Sequence, residues 1–221
     1  MADQTTQPPN ELDRAAEEAG FYHEAALNAA WTGSRFAVGG LAFLYGCFSF
    51  AYFYLRSVNS SGRWKGSGFH APQLGYGVTI LILVLLSALV QYVGLQRIKA
   101  GSKSAWQAAA LVALLLGVAA VVVQILQLLS LPFQPGSSGF SSVFTDTYPV
   151  LLVSWLGAML WLEMLVMRVR PLTPMSFVEQ PPTYAEAFAV QRFQSSLSAF
   201  TLIWNFMAVV TLFFFLLFYV F

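Results

Sequence analysis

Ser104–Leu131, SAWQAAALVALLLGVAAVVVQILQLLSL, runs without a single charged residue. As a helix rising about 1.5 Å per residue it would be about 40 Å long, more than the ~30 Å of a bilayer's hydrocarbon core. Four other stretches carry at most one charge each: Phe36–Leu55, Leu74–Gln96, Thr147–Met167 and Leu197–Phe221. All reach the ~20 residues needed to cross. In lipid every backbone N–H and C=O must be paired within its own segment, so runs of this kind are predicted to be helices. Charged residues are 10% of the 221, against about a quarter in soluble domains, and they cluster between the apolar runs. The sequence therefore predicts an all-α fold, a polytopic membrane bundle with five transmembrane helices spanning about 36–55, 74–96, 104–131, 147–167 and 197–221. Residues 36–221 form the membrane domain.

The charges outside the spans give an orientation. With five spans, the N-terminus, loop 2–3 and loop 4–5 share one side, which holds Arg14, Arg35, Arg97, Lys99, Lys103, Arg168, Arg170 and Arg192. The other side holds Arg56, Arg63 and Lys65. Lys and Arg are retained on the cytoplasmic side, so the N-terminus is expected inside and the C-terminus outside. The Gly/Ser-rich stretch around Gly136–Phe144 has no basic residue and fits an external loop. A net charge of +1 gives no basic surface for nucleic acid.

Residues 1–10, MADQTTQPPN, read as a disordered tail. Residues 11–30, ELDRAAEEAGFYHEAALNAA, read as a cytoplasmic surface helix. No charged n-region precedes an apolar core there, so no cleaved signal peptide is expected and the first span directs insertion. Residues 170–182 hold four prolines and read as an extended linker. Thr183–Glu186 has the spacing of a capping box, starting a helix near Tyr184 that runs into the fifth span. No internal repeat of 20 to 50 residues is present, and five spans fit poorly with an inverted-repeat transporter.

Few residues offer chemistry. The lone Cys47, in the first span, has no partner for a disulfide or CxxC motif and reads as a small packing residue. His23 and His70 are expected on opposite sides of the membrane, and no span contains a histidine for haem ligation. Met159, Met164 and Met167 read as packing residues. Glu163 is the one acid well inside a span, and an ionisable residue at such a position is a functional candidate. It is either a proton-relay or gating carboxylate, or it pairs with Gln91 or Asn205, which are expected in the same inner half, or reaches toward the interface. Gln124 and Gln127 share one face of the third span and suit helix–helix hydrogen bonding. Gly39, Gly40, Ala42 and Gly46 permit close approach of another helix.

Two stretches resemble subunit III of the haem-copper (cytochrome c) oxidases. Ala51-Tyr52-Phe53-Tyr54-Leu55-Arg56 looks like the family's corresponding helix end. Trp204–Phe221, WNFMAVVTLFFFLLFYVF, with Trp204 and Phe206 in register, is similar to the family's last helix, roughly WHFVDVVWLFLF. Gly117 followed by Gln124 and Gln127 is similar to a Gly, Gln and Glu pattern of the family. The chain also departs from it. Leu41 stands where the family has a buried Glu, Tyr148–Val153 lacks the family's histidines, and Asn205 and Ala208 stand where it favours His and Asp.

The resemblance implies a divergent five-helix bacterial form lacking the family's first two helices, in the bacterial plasma membrane. It implies a non-catalytic subunit that packs against and stabilises the catalytic subunit I, among other oxidase subunits and membrane lipids. The complex would reduce oxygen and pump protons in aerobic respiration. Haem and copper would belong to the partner subunits, with no cofactor in this chain. A related subunit of a quinol oxidase or nitric oxide reductase, or an unrelated small transporter or scaffold, are the alternatives.

Overall fold

A computed structural model describes residues 11–59, 62–66, 68–173, 177 and 184–221. It contains five α-helices: α1 (Glu11–Val58), α2 (Leu74–Lys99), α3 (Lys103–Leu129), α4 (Gly139–Val169) and α5 (Tyr184–Phe215). A π turn over Leu216–Val220 extends α5. All five are long and apolar enough to cross a membrane, so the chain is an all-helical multi-pass membrane protein. The predicted tail at 1–10 and most of the predicted linker at 170–182, like Thr183 of the predicted capping box, lie outside the described residues.

Two boundaries differ from the sequence reading. Residues 11–30 are helical as expected but are not a separate element, because α1 continues through them to Val58. Nothing in Trp31–Arg35 stops a helix; Gly33 is tolerated and no proline intervenes. The fourth helix starts at Gly139, well before Thr147, because Ser138 and Ser141 form a reciprocal cap: each side chain binds the other's backbone N–H. By contrast, α5 begins at Tyr184 and runs unbroken into the fifth span, as expected.

α2 and α3 form the most extensive pairing of the bundle. Their turn is a Schellman motif, with Gly101 N–H to the Ile98 carbonyl and Ser102 N–H to the Arg97 carbonyl. Gly101 takes φ +84° there, a left-handed backbone that a Cβ would strain. Along the seam, Ser87 Oγ donates to the Ala113 carbonyl at 2.8 Å. A Cβ on Gly94 would lie 2.8 Å from that of Ala109, so only glycine permits this helix spacing.

α5 is the central helix, packed on α1, α2 and α4, with Trp204, Met207 and Phe214 wholly buried. α4 touches α1, α3 and α5. α1 is peripheral, with only Ser34, Tyr45 and Tyr52 buried along its described length. It runs parallel to α5 and in step with it. The contacts pair His23 with Phe188, the Leu27 carbonyl with Ser195, Tyr45 with Phe214, and Tyr52 with Phe218.

Candidate functional site

The three polar candidates do not converge. Lys103 at the start of α3 donates to the carbonyls of Arg170 and Leu172, so the ends of α3 and α4 lie level. Arg168 and Arg192 line one cavity and are therefore level too. Measured along the helix axes from this basic end, Glu163 is about 7.5 Å from Arg168, Gln91 about 12 Å from Lys99, and Asn205 about 20 Å from Arg192. Asn205 thus sits near mid-depth and not with Glu163, because α5 begins two turns before Arg192. Gln91 is buried at 1% exposure, and neither its Oε1 nor its Nε2 has a hydrogen-bond partner. Glu163 and Asn205 are exposed. The expected pairing of Glu163 with Gln91 or Asn205 is therefore not formed.

Glu163 instead lies on the outer face of α4, among exposed Val153, Leu156, Leu160, Met164 and Met167. Met159 packs in the core against Gly117, whose Cβ would meet the Met159 sulfur at 3.4 Å. Met164 and Met167 face outward, contrary to their reading as packing residues. Cys47 is likewise exposed. Gly39, Gly40 and Gly46 have nothing within 4 Å of a built Cβ, so the close approach they permit is not used among the described residues.

At the end of the bundle away from Lys103, the glutamines of α3 do what their spacing suggested. Gln124 Nε2 donates to the Tyr148 carbonyl at 2.8 Å. Gln127 Nε2 donates to the Tyr219 hydroxyl. Gly77 makes room for this, since a Cβ there would meet the Tyr219 ring at 2.6 Å. The sequence reading missed both tyrosines. Tyr148 was noticed only as the absence of a histidine, and Tyr219 sits in a run of aromatic residues without distinguishing spacing. Replacing Tyr219 by Phe leaves the buried Gln127 amide without its acceptor, which should cost about 1–3 kcal/mol. Circular dichroism during a denaturing-detergent titration would measure the loss.

The two stretches that carry the family resemblance meet at this same end. Tyr52, 1% exposed, contacts Trp64 edge to face at 5.0 Å and Phe218 at 5.6 Å. Arg56 lies over the Tyr52 ring, and its Nη1 donates to the hydroxyl at 3.4 Å. The α1–α2 loop closes the cluster: Trp64 packs on Phe140, and its carbonyl accepts from Phe140 N–H. Ala51 and Leu55 are half-buried, while Phe53 and Tyr54 face outward. On α5, Trp204 is buried and Phe206 half-buried.

His23 and His70 are at opposite ends, one near the start of α1 and the other in the α1–α2 loop. Among the described residues no three His, Cys, Asp or Glu side chains are grouped as a metal site. No protein-family model matches the chain, and no curated protein matches it either.

Proposed function

We propose that this chain is a non-catalytic, subunit III-like component of a bacterial haem-copper terminal oxidase, seated in the plasma membrane with its N-terminus cytoplasmic and its C-terminus external. The observation that carries this reading is the Tyr52–Phe218 contact. It joins in one aromatic core the two short stretches that resemble the oxidase subunit, although they come from the first and the last span of the sequence. The orientation rests on the basic residues Arg97, Lys99, Lys103, Arg168, Arg170 and Arg192 gathered at one end. In this reading the haem and copper belong to the catalytic subunit, and this chain contributes a helical wall.

The outer face of α4 is the side this reading gives to the catalytic subunit. Placing an ionisable group against hydrocarbon is costly, and Glu163 is a carboxylate on an otherwise apolar exposed stripe. A hydrogen-bond donor on a partner helix would remove that cost. The test is purification of the full chain, tagged, from its own membranes in mild detergent. A haem-bearing chain should co-elute; elution of this chain alone would sink the proposal. Interhelical hydrogen bonds are worth roughly 0.6–2 kcal/mol, so Glu163→Leu should weaken retention of the partner by about 3- to 30-fold.

A further inference from the structure

Gln91 lies on the buried face of α2 between Ser87 and Gly94. Neither atom of its amide has a hydrogen-bond partner among the described residues. The register with α3 fixes what stands opposite. Ser87 Oγ donates to the Ala113 carbonyl, and a Cβ on Gly94 would meet that of Ala109. Gln91 therefore falls opposite Ala110, where the buried side chains of α3 are alanines with nothing to offer an amide. One turn further, Trp106 is wholly buried, and its Cδ1, the ring carbon bonded to Nε1, is 3.4 Å from the Cβ built on Gly94. The Trp106 N–H also lacks a partner among the described residues. Gln91 Oε1, Gln91 Nε2 and Trp106 Nε1 thus border one stretch of core unpaired, and each costs free energy if it stays so. A cavity of about 280 Å³ at the basic end of α2 and α5, with Lys99, Gln194 and Ser198 in its wall, reaches Leu95, one turn from Gln91.

We propose that Gln91 holds an ordered water inside the bundle, and that the Trp106 N–H donates to the same hydrated site. The donor set selects the ligand. A ligand that only accepts leaves Gln91 Oε1 unpaired, and one that only donates leaves Gln91 Nε2 and the indole N–H unpaired. Water both donates and accepts, and the three protein atoms match the about three hydrogen bonds of a typical buried water. An ion does not suit the place. A cation needs several oxygen ligands and Gln91 supplies one, while an anion finds no charged residue among the buried ones described. Gly94 and the alanines of α3 leave side-chain space on this seam, and the cavity at Leu95 gives a short path from the aqueous side. The bound water then supplies the polar link across α2 and α3 that no side chain of α3 provides. This site does not depend on the identity of the partner subunit.

The full-length chain, isotope-labelled and reconstituted in lipid with deuterated acyl chains, is measured by water-edited solid-state NMR, which reads magnetisation passed from water protons to each N–H. Build-up at Gln91 Nε2 should be at least about threefold faster than at Gln124 Nε2. Gln124 is the control because it is equally buried, at 1% exposure, but is bonded to the Tyr148 carbonyl. In Gln91→Met, which keeps the volume and removes the amide, build-up at Trp106 Nε1 should fall at least about threefold. Gln91 no faster than Gln124, or Trp106 unchanged in Gln91→Met, would each overturn the proposal. Stability gives a second reading. If the amide were buried dry, Gln91→Met would remove two unpaired atoms and raise the unfolding midpoint in denaturing detergent. With water bound the midpoint should stay level or fall, and a rise would refute the site. If Gln91→Met does not fold, the comparison of Gln91 with Gln124 in the unaltered chain still decides.

Discussion

Trp204→Ala should destabilise the bundle by about 3–5 kcal/mol, the range found when a large buried aromatic is truncated and the surroundings cannot close over the space. Trp204 is fully buried on the central helix. Its ring meets Trp155 at 5.0 Å edge to face and Phe200 at 5.1 Å, and Gly117 of α3 lies beneath its far edge. The ring therefore fills the space between α3, α4 and α5. Lipid removes the solvent contribution to helix association, so packing of this kind carries more of the load. The control is Val209→Ala on the same helix, where the side chain is 64% exposed and the change should stay within about 0.5 kcal/mol. Helix content during a denaturing-detergent titration reads both. Equal midpoints for the two variants would show that Trp204 is not a keystone of the core.

Gly94→Leu should cost about 1–3 kcal/mol or more by overpacking the α2–α3 seam. The new Cβ would lie 2.8 Å from the Cβ of Ala109, an atom fixed to the backbone and unable to rotate away, with Trp106 at 3.4 Å. Relief requires the helices to part, which stretches the Ser87 bond to the Ala113 carbonyl. Gly40→Leu is the matched control. It is the same substitution inside a helix, but nothing lies within 4 Å of its Cβ, so the gain in helix propensity of about 1 kcal/mol should show through. The two leucines should therefore shift the isolated chain's stability in opposite directions. A shared direction would mean that the seam tolerates the extra volume.

The number and rough placement of the membrane helices were legible because lipid imposes a single strong rule: a long apolar run must pair its own backbone. Which helices touch was not legible. Apolar residues surround each span, so the face turned inward is marked only by small or polar residues such as Ser87, Gly94 and Gly77. Their significance depends on a neighbour the sequence does not name. The continuity of α1 was hidden because residues 11–30 are rich in Ala and Glu and read as a separate surface helix, although no breaker follows them. Glu163 was visible as a carboxylate out of place. The direction in which it points was not, since helix rotation is set by packing against α5 and α3. The Gln127–Tyr219 hydrogen bond joins distant parts of the chain through an ordinary aromatic side chain, and nothing local announces it.

The parallel pairing of α1 with α5 also has a consequence for how the chain is made. The hydrogen bond from Ser195 to Leu27 joins residues 168 positions apart, whereas α2 and α3 can close their hairpin as soon as both are synthesised. At about 5–20 residues per second, α1 is inserted roughly 10–30 s before its main partner in the chain exists. During that interval it stands in the bilayer with the α5-facing sides of Tyr45 and Tyr52 uncovered, Trp64 of the following loop already covering another side of Tyr52, and biogenesis must keep that seam vacant until the last helix arrives.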